Sequence, residues 1–217
     1  MDNEALMAEL DALVAAALAR IAERSSEGTA EGLTVGRLLE VALKNELEAA
    51  EEAALWMATE PDLAVKLALA RQCGDEARHY RLIEGRLRAL GRDPDTVDPT
   101  ASGYSPMYQY LRGLTTTVER LAAGPFAREA LAQTRNRVFA DFCAAQGDAE
   151  TAQLYRDVIQ PDEAYHHELG RKLLPRYVRT PEDADRARAA ARRTLELAEE
   201  LQEIARMKMG LCRLPGC

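Results

Sequence analysis

The chain has 217 residues, a formal net charge of −8, 47% hydrophobic, 5% aromatic and 29% charged residues. That length suits one domain with a full core, and an Ala- and Leu-rich, aromatic-poor composition reads as all-helical. The acidic balance argues against a nucleic-acid partner, and no run of about 20 apolar residues offers a membrane span.

Apolar spacing of 3.6 residues marks the elements, and Gly, Pro and Asp clusters separate them. A first helix is predicted over residues 3–24, ending in the loop 25–32. A second follows Thr34, a suitable N-cap, and runs to Thr59. A third starts near Asp62 and stops at Gly91. Residues 92–106 hold three Pro and one Gly and read as a long crossover. Helix is predicted again from Pro106 to Ala145 with a kink at Gly124-Pro125, then from Ala149 to Leu174 with a second kink at Pro161 and a stop at Pro175. Thr180-Pro181-Glu182-Asp183 starts a last helix to Met209. The basic residues Arg186, Arg188, Arg192 and Arg193 on that helix read as a solvated face. Asp2 and Glu4 stand where a secretory signal would be basic, so a cytoplasmic protein is expected. Cys73, Cys143, Cys212 and Cys217 form no Cys-x-x-Cys pair, and the last two read as part of a reduced tail.

Chemistry concentrates in two boxes, Asp75-Glu76-Ala77-Arg78-His79 and Asp162-Glu163-Ala164-Tyr165-His166, which with His167 contain all three histidines. On a helix, residues at i and i+3 share a face, so each box can present a carboxylate and an imidazole to one metal ion. A dinuclear site needs two further carboxylates. Glu46 shares a stripe with Leu39, Leu43 and small residues, whereas Glu48, Glu51 and Glu52 lie with Lys44 on what reads as a solvated face. Glu129 stands 34 residues before Glu163, close to the 30 between Glu46 and Glu76. Glu119 is the reserve, about 15 Å further along a helix. The predicted metal ligands are therefore Glu46, Glu76, His79, Glu129, Glu163 and His166. Asp75 and Asp162 are placed to accept the second N–H of each imidazole across the bundle, and His167, turned about 100° away, is a spectator or supports the ligands from outside. Four carboxylates neutralise two divalent cations. Oxygen and nitrogen donors without thiolate suit two Fe ions, with Mn able to take one or both positions.

These residues resemble the ferritin-like carboxylate-bridged di-iron superfamily, closer to its oxygenases and oxidases than to ferritins. The resemblance covers residues 36–174. It implies a ferritin-like four-helix bundle with one long crossover and an extra helix at each end, forming a single domain. It also implies that Glu76 and Glu163 bridge the metals, that Glu46 and Glu129 are terminal, and that each histidine binds one iron. The function that follows is an oxygen-activating oxidoreductase, with a small organic substrate, dioxygen and an external electron donor as partners. A homo-oligomer is compatible with the sequence. A ferroxidase or iron-storage protein, and a metal-free helical bundle, are the competing readings.

Overall fold

The structure, a computed structural model, describes residues 3–25 and 33–208. Among these the secondary structure is helical throughout: α1 (Asn3–Ser25), α2 (Val35–Thr59), α3 (Leu63–Ala89), a 3-10 turn (Pro94–Thr96), α4 (Pro106–Leu111), α5 (Thr117–Leu121), α6 (Glu129–Ala145), α7 (Ala149–Leu154), α8 (Gln160–Tyr177) and α9 (Pro181–Lys208). No described helix is long and apolar enough to cross a membrane. The predicted tail with Cys212 and Cys217, and most of the loop after Ser25, lie outside the described residues.

Helix boundaries follow local chemistry. Thr34 accepts from the Arg37 N–H at the start of α2. Asp62 accepts from the Ala64 and Val65 N–H groups at the start of α3, each satisfying donors that a helix leaves orphaned. Gly91 follows α3 with φ +74°, which a residue with a Cβ adopts only under strain. The helix expected from Pro106 instead breaks after Leu111. Thr116 and Glu119 form a capping box that restarts it as α5.

The prolines behave differently from expectation. Residues 117–145 form one continuous helix through Gly124-Pro125, because Ala122–Arg128 is a π-helical stretch in which the Glu129 N–H bonds the Gly124 carbonyl five residues back. A second π stretch, Tyr155–Ile159, joins α7 to α8, so Pro161 falls in the first turn after it without breaking the helix. Each widened turn absorbs one extra residue and resets the helical face that follows by about 100°. Pro175 does not end α8 either. Asn3 Nδ2 of α1 donates to the Pro175 carbonyl at 2.8 Å and approaches that of Val178 at 3.3 Å, supporting the last turn from outside.

Helices α2 and α3 pack along one another as an antiparallel hairpin, and α6 and α8 form the facing pair. Two hydrophobic clusters result. One gathers Leu39, Leu43, Ile83, Leu87, Cys143 and Ile159. The other holds Trp56, Leu69, Phe126 and Leu174 together with the buried stripe Leu6, Leu10, Val14, Ala17 and Ile21 of α1 and the alanine-rich face of α9. Fully buried leucines of this kind contribute about 1.5–3 kcal/mol each. Helix α9 lies across the π stretch 122–128, α5 and α1, and small side chains (Ala187, Ala190, Ala191, Ala198) allow that approach. A buried ion pair, Glu60 to Arg120 at 3.4 Å, ties the α2–α3 turn to α5.

Candidate metal centre

Between the two hydrophobic clusters the four helices carry a polar layer. Along α2 the buried sequence runs Leu39, Leu43, Glu46, Ala49, Ala53, Trp56; along α3 it runs Val65, Leu69, Gln72, Glu76, His79, Ile83, Leu87. Glu163 and His166 of α8 and Glu129 of α6 complete the layer. All six are buried, His79 fully. Helical spacing alone puts each of them on the inward stripe of its helix, where an apolar residue would otherwise stand.

The side chains converge in two overlapping quartets. Glu46, Glu76, His79 and Glu163 offer one ligand atom each within 4.8 Å of one another, and Glu76, Glu129, Glu163 and His166 do the same. Glu76 and Glu163 belong to both. His79 Nδ1 is 3.3 Å from Glu76 and 3.5 Å from Glu46. His166 Nδ1 is 3.5 Å from Glu163 and 3.7 Å from Glu76. Both Nδ1 atoms and Glu163 Oε2 are buried without a hydrogen-bond partner, an arrangement that a folded protein avoids unless something else satisfies those lone pairs.

The outer imidazole nitrogens are held crosswise. His79 Nε2 lies 3.0 Å from Asp162 and His166 Nε2 lies 3.1 Å from Asp75, so the aspartate of each box serves the histidine of the other. Donation of Nε2–H to a carboxylate leaves Nδ1 as the free lone pair pointing into the cluster. Arginines fix the aspartates in turn. Arg78 pairs with Asp162, and Arg71 pairs with Asp75 at 3.3 Å while its guanidinium stacks 3.5 Å over the Tyr165 ring. Tyr165, where the second box departs from the first, thus supports the opposite aspartate. Gln72 donates to Glu129 at 2.7 Å and Asn136 to Glu163 at 3.3 Å. His167 faces away and donates Nδ1–H to the Phe126 carbonyl at 2.8 Å.

Several carboxylates sit elsewhere than their sequence context implies. Glu119 is committed to its capping box with Thr116. Glu48 is buried, accepting from the Ser105 N–H at 2.7 Å and from its hydroxyl. Glu52 is buried too, 4.0 Å from Arg128, a residue that also reaches Glu129 at 3.3 Å. The lysine beside Glu48 suggested a solvated face, but the loop after Gly103 and α4 fold over it.

Electrostatics follow from packing acids together out of water. Burial pushes Glu46 up to about 8, with the nearby His79 opposing and Glu76 reinforcing. Burial also drives Glu163 well above the carboxylate range, helped by the charges of Glu76, Glu129 and Glu46, and raises Glu52 to about 8 against the pull of Arg128. For Glu76 burial is outweighed by His79, Arg128 and its other neighbours, which hold it at about 2. His79 rises to about 10 because Glu46 and Glu76 overcome the desolvation of its ring. Without a cation, protons stand in for one.

A cavity of about 160 Å³ opens beside the centre, with Glu46, Glu76, Glu163, Tyr155, Arg128 and Arg135 among its walls. Arg128, Arg135, Gln72 and Asn136 are functional candidates that the sequence reading passed over. Gln72 and Asn136 share the stripes of Glu76 and Glu129, and Arg128 and Arg135, seven residues apart, share the stripe beside that of Glu129.

Comparison with known proteins places the fold. No family model matches the chain, and no curated protein matches it. A crystal structure of a domain of unknown function with a heme oxygenase-like fold, from Shewanella denitrificans OS217, superposes with a TM-score of 0.69 over 97% of this chain and 94% of that one, at 17% identity. The chain is thus an all-α protein with a heme oxygenase-like fold, in which buried acidic and histidine side chains could hold a metal. The resemblance to the ferritin-like di-iron superfamily is overturned by this match. Ligand spacing defines a face of each helix, but it does not define how the helices are connected and enclosed, and here α1 and α9 are integral to the matched fold.

A haem does not fit these residues. Axial ligation needs an imidazole nitrogen open to a porphyrin slot, yet the free Nδ1 atoms of His79 and His166 face carboxylates. No histidine lines the cavity beside the centre, whose volume falls below the roughly 300 Å³ at which sites for larger organic groups begin.

Proposed function

We propose that the chain is an oxygen-activating non-haem di-iron oxidoreductase acting on a small organic substrate. Glu46, Glu76, His79, Glu129, Glu163 and His166 would hold the two ions, Mn being able to replace Fe on the same donors. The observation that carries this reading is the pair of overlapping quartets whose imidazole Nδ1 atoms are buried, unpartnered and aimed at the shared carboxylates. Four carboxylates and two divalent cations sum to zero charge, so the polar layer can be buried without residual charge.

When bound, a pair of ferrous ions supplies the electrons that reduce dioxygen. The chain's own residues do the rest. Glu76 and Glu163, central to both quartets, hold the two positions together. Asp75 and Asp162 fix the tautomer and aim of the imidazoles. The cavity brings a substrate against Glu46, Glu76 and Glu163, with the two hydrophobic clusters excluding bulk water. Burial keeps the Tyr155 phenol protonated in the cavity wall, where it can donate a hydrogen bond. An external donor must return electrons after each turnover.

The test is anaerobic loading with ferrous ion and elemental analysis of the wild type, His79→Ala and His166→Ala, followed by an oxygen-electrode trace. Two ions per wild-type chain, a loss of about one in each variant and rapid dioxygen uptake limited by the bound iron are expected. Full metal retention in both variants would sink the ligand set. Iron uptake far beyond two ions per chain into a large assembly would mark an iron-storage protein instead.

A further inference from the structure

Beside the centre, the charges of the cavity do not balance. With two divalent cations in place, the four carboxylates of the cluster are neutralised. Arg128 is matched by Glu52 at 4.0 Å, and Glu48 by Lys44 at 3.8 Å. Arg135 is left over. It lines the same cavity from α6, two turns beyond Arg128, is exposed at the cavity's open edge, and makes no ion pair among the described residues. One of its N–H groups donates to the Ala198 carbonyl of α9 at 3.1 Å, which anchors the side chain and leaves most of its five donors free. The charge that acts on it is that of Arg128, a second guanidinium rather than an acid.

We propose that the cavity receives a small monoanionic carboxylate whose carboxylate group pairs with the Arg135 guanidinium while its carbon skeleton lies against the Glu76–Glu163 side of the centre. This inference rests on the metal reading above, because only a neutralised centre leaves one positive charge in the cavity. A guanidinium presents parallel N–H donors that match a planar carboxylate in two-point contact. A volume near 160 Å³ is close to that of a cavity known to take a benzene-sized guest, so the skeleton is short or a single ring. Ala132 and Leu131 on the same helix, with Met107 and Leu111 of α4, supply apolar wall for it. Arg135 is a binding residue in this arrangement and touches no metal position.

The experiment uses full-length protein loaded with Mn(II) under nitrogen, so that no oxygen chemistry intrudes. Butanoate and benzoate are titrated calorimetrically against their neutral counterparts, butanamide and benzamide, with inorganic phosphate as a further anion. At least one carboxylate should saturate and bind about tenfold or more tightly than its amide, the discrimination expected of a charge-assisted pair. Arg135→Gln should abolish that preference with metal content and circular dichroism unchanged, and Arg135→Lys should retain part of it. Equal binding of carboxylate and amide, preference for phosphate, or no saturation of either carboxylate in the millimolar range would overturn the proposal. So would full carboxylate affinity in Arg135→Gln, which would put the carboxylate on the metal ions. Metal counts on the same samples separate the two readings. A chain that holds two ions but shows no Arg135-dependent preference overturns this inference alone, and one that holds none overturns the metal reading and this inference with it.

Discussion

Each imidazole of the centre is tied through Nε2 to an aspartate on the opposite box, and that crossed pairing decides which nitrogen faces the cluster. Removing the acceptor while keeping the shape should loosen the ring and lower the basicity of Nδ1. Asp75→Asn and Asp162→Asn are each expected to weaken metal binding by about 10–100-fold, read by competition with a chromophoric chelator; unchanged affinity in both would show that the aspartates only decorate a surface turn. Titration gives a second residue-scale outcome. In the metal-free chain Glu46 titrates at about 8 and His79 at about 10, both above their unfolded values. Groups raised on folding stabilise the fold below their unfolded pKa and lose that contribution as pH rises through the folded one. Glu76, held at about 2, contributes a constant amount above about pH 4.5. The metal-free protein should therefore lose stability progressively between about pH 4.5 and 10, whereas metal loading should flatten that slope, since a cation replaces the protons. Chemical denaturation at several pH values checks both.

At the scale of elements, the two π stretches are the features with most leverage on the site. The stretch 122–128 immediately precedes Glu129, and the stretch 155–159 precedes Glu163 by four residues. Each resets the helical face just before a carboxylate of the centre. The first stretch is also where α8 approaches most closely: a Cβ at Gly170 would lie 2.7 Å from backbone atoms of Pro125 and Phe126. Backbone cannot yield as a flexible side chain can. Gly170→Ala should cost about 1–3 kcal/mol by overpacking and, by displacing the turn before Glu129, should also reduce metal occupancy. Gly85→Ala is the control, because nothing lies within 4 Å of its Cβ position. Equal melting temperatures for the two variants would contradict the close contact.

For the whole molecule, the polar layer divides the interior into two apolar halves, and its state should govern global stability. Ligands that bind only the folded chain stabilise it by mass action, by about 2.7 kcal/mol at a hundredfold excess over Kd. Chelation should lower the melting temperature of the wild type. It should have little effect on a Glu76→Gln, Glu163→Gln double variant, which loses both shared carboxylates. Calorimetry with and without chelator decides, and a wild-type curve indifferent to verified metal removal would count against a buried centre.

What the sequence by itself determined is local. Helical spacing and scarcity of histidine picked out the two boxes, and capping residues such as Thr34 and Asp62 marked where α2 and α3 begin, because a cap and a helix face depend on neighbours within a few positions. Tertiary structure decided the rest. Pro125, Pro161 and Pro175 read as kinks or stops, but widened turns and a hydrogen bond from Asn3 of α1, distant in the chain, accommodate them. Glu48 and Glu52 read as solvated, but α4 and Arg128 bury them. Connection and enclosure were likewise beyond local reading: the heme oxygenase-like fold arises from how α1 and α9 close over the helices that carry the ligands. Those contacts join residues far apart in the chain, and a side-chain period reports which face of a helix is buried without saying what buries it.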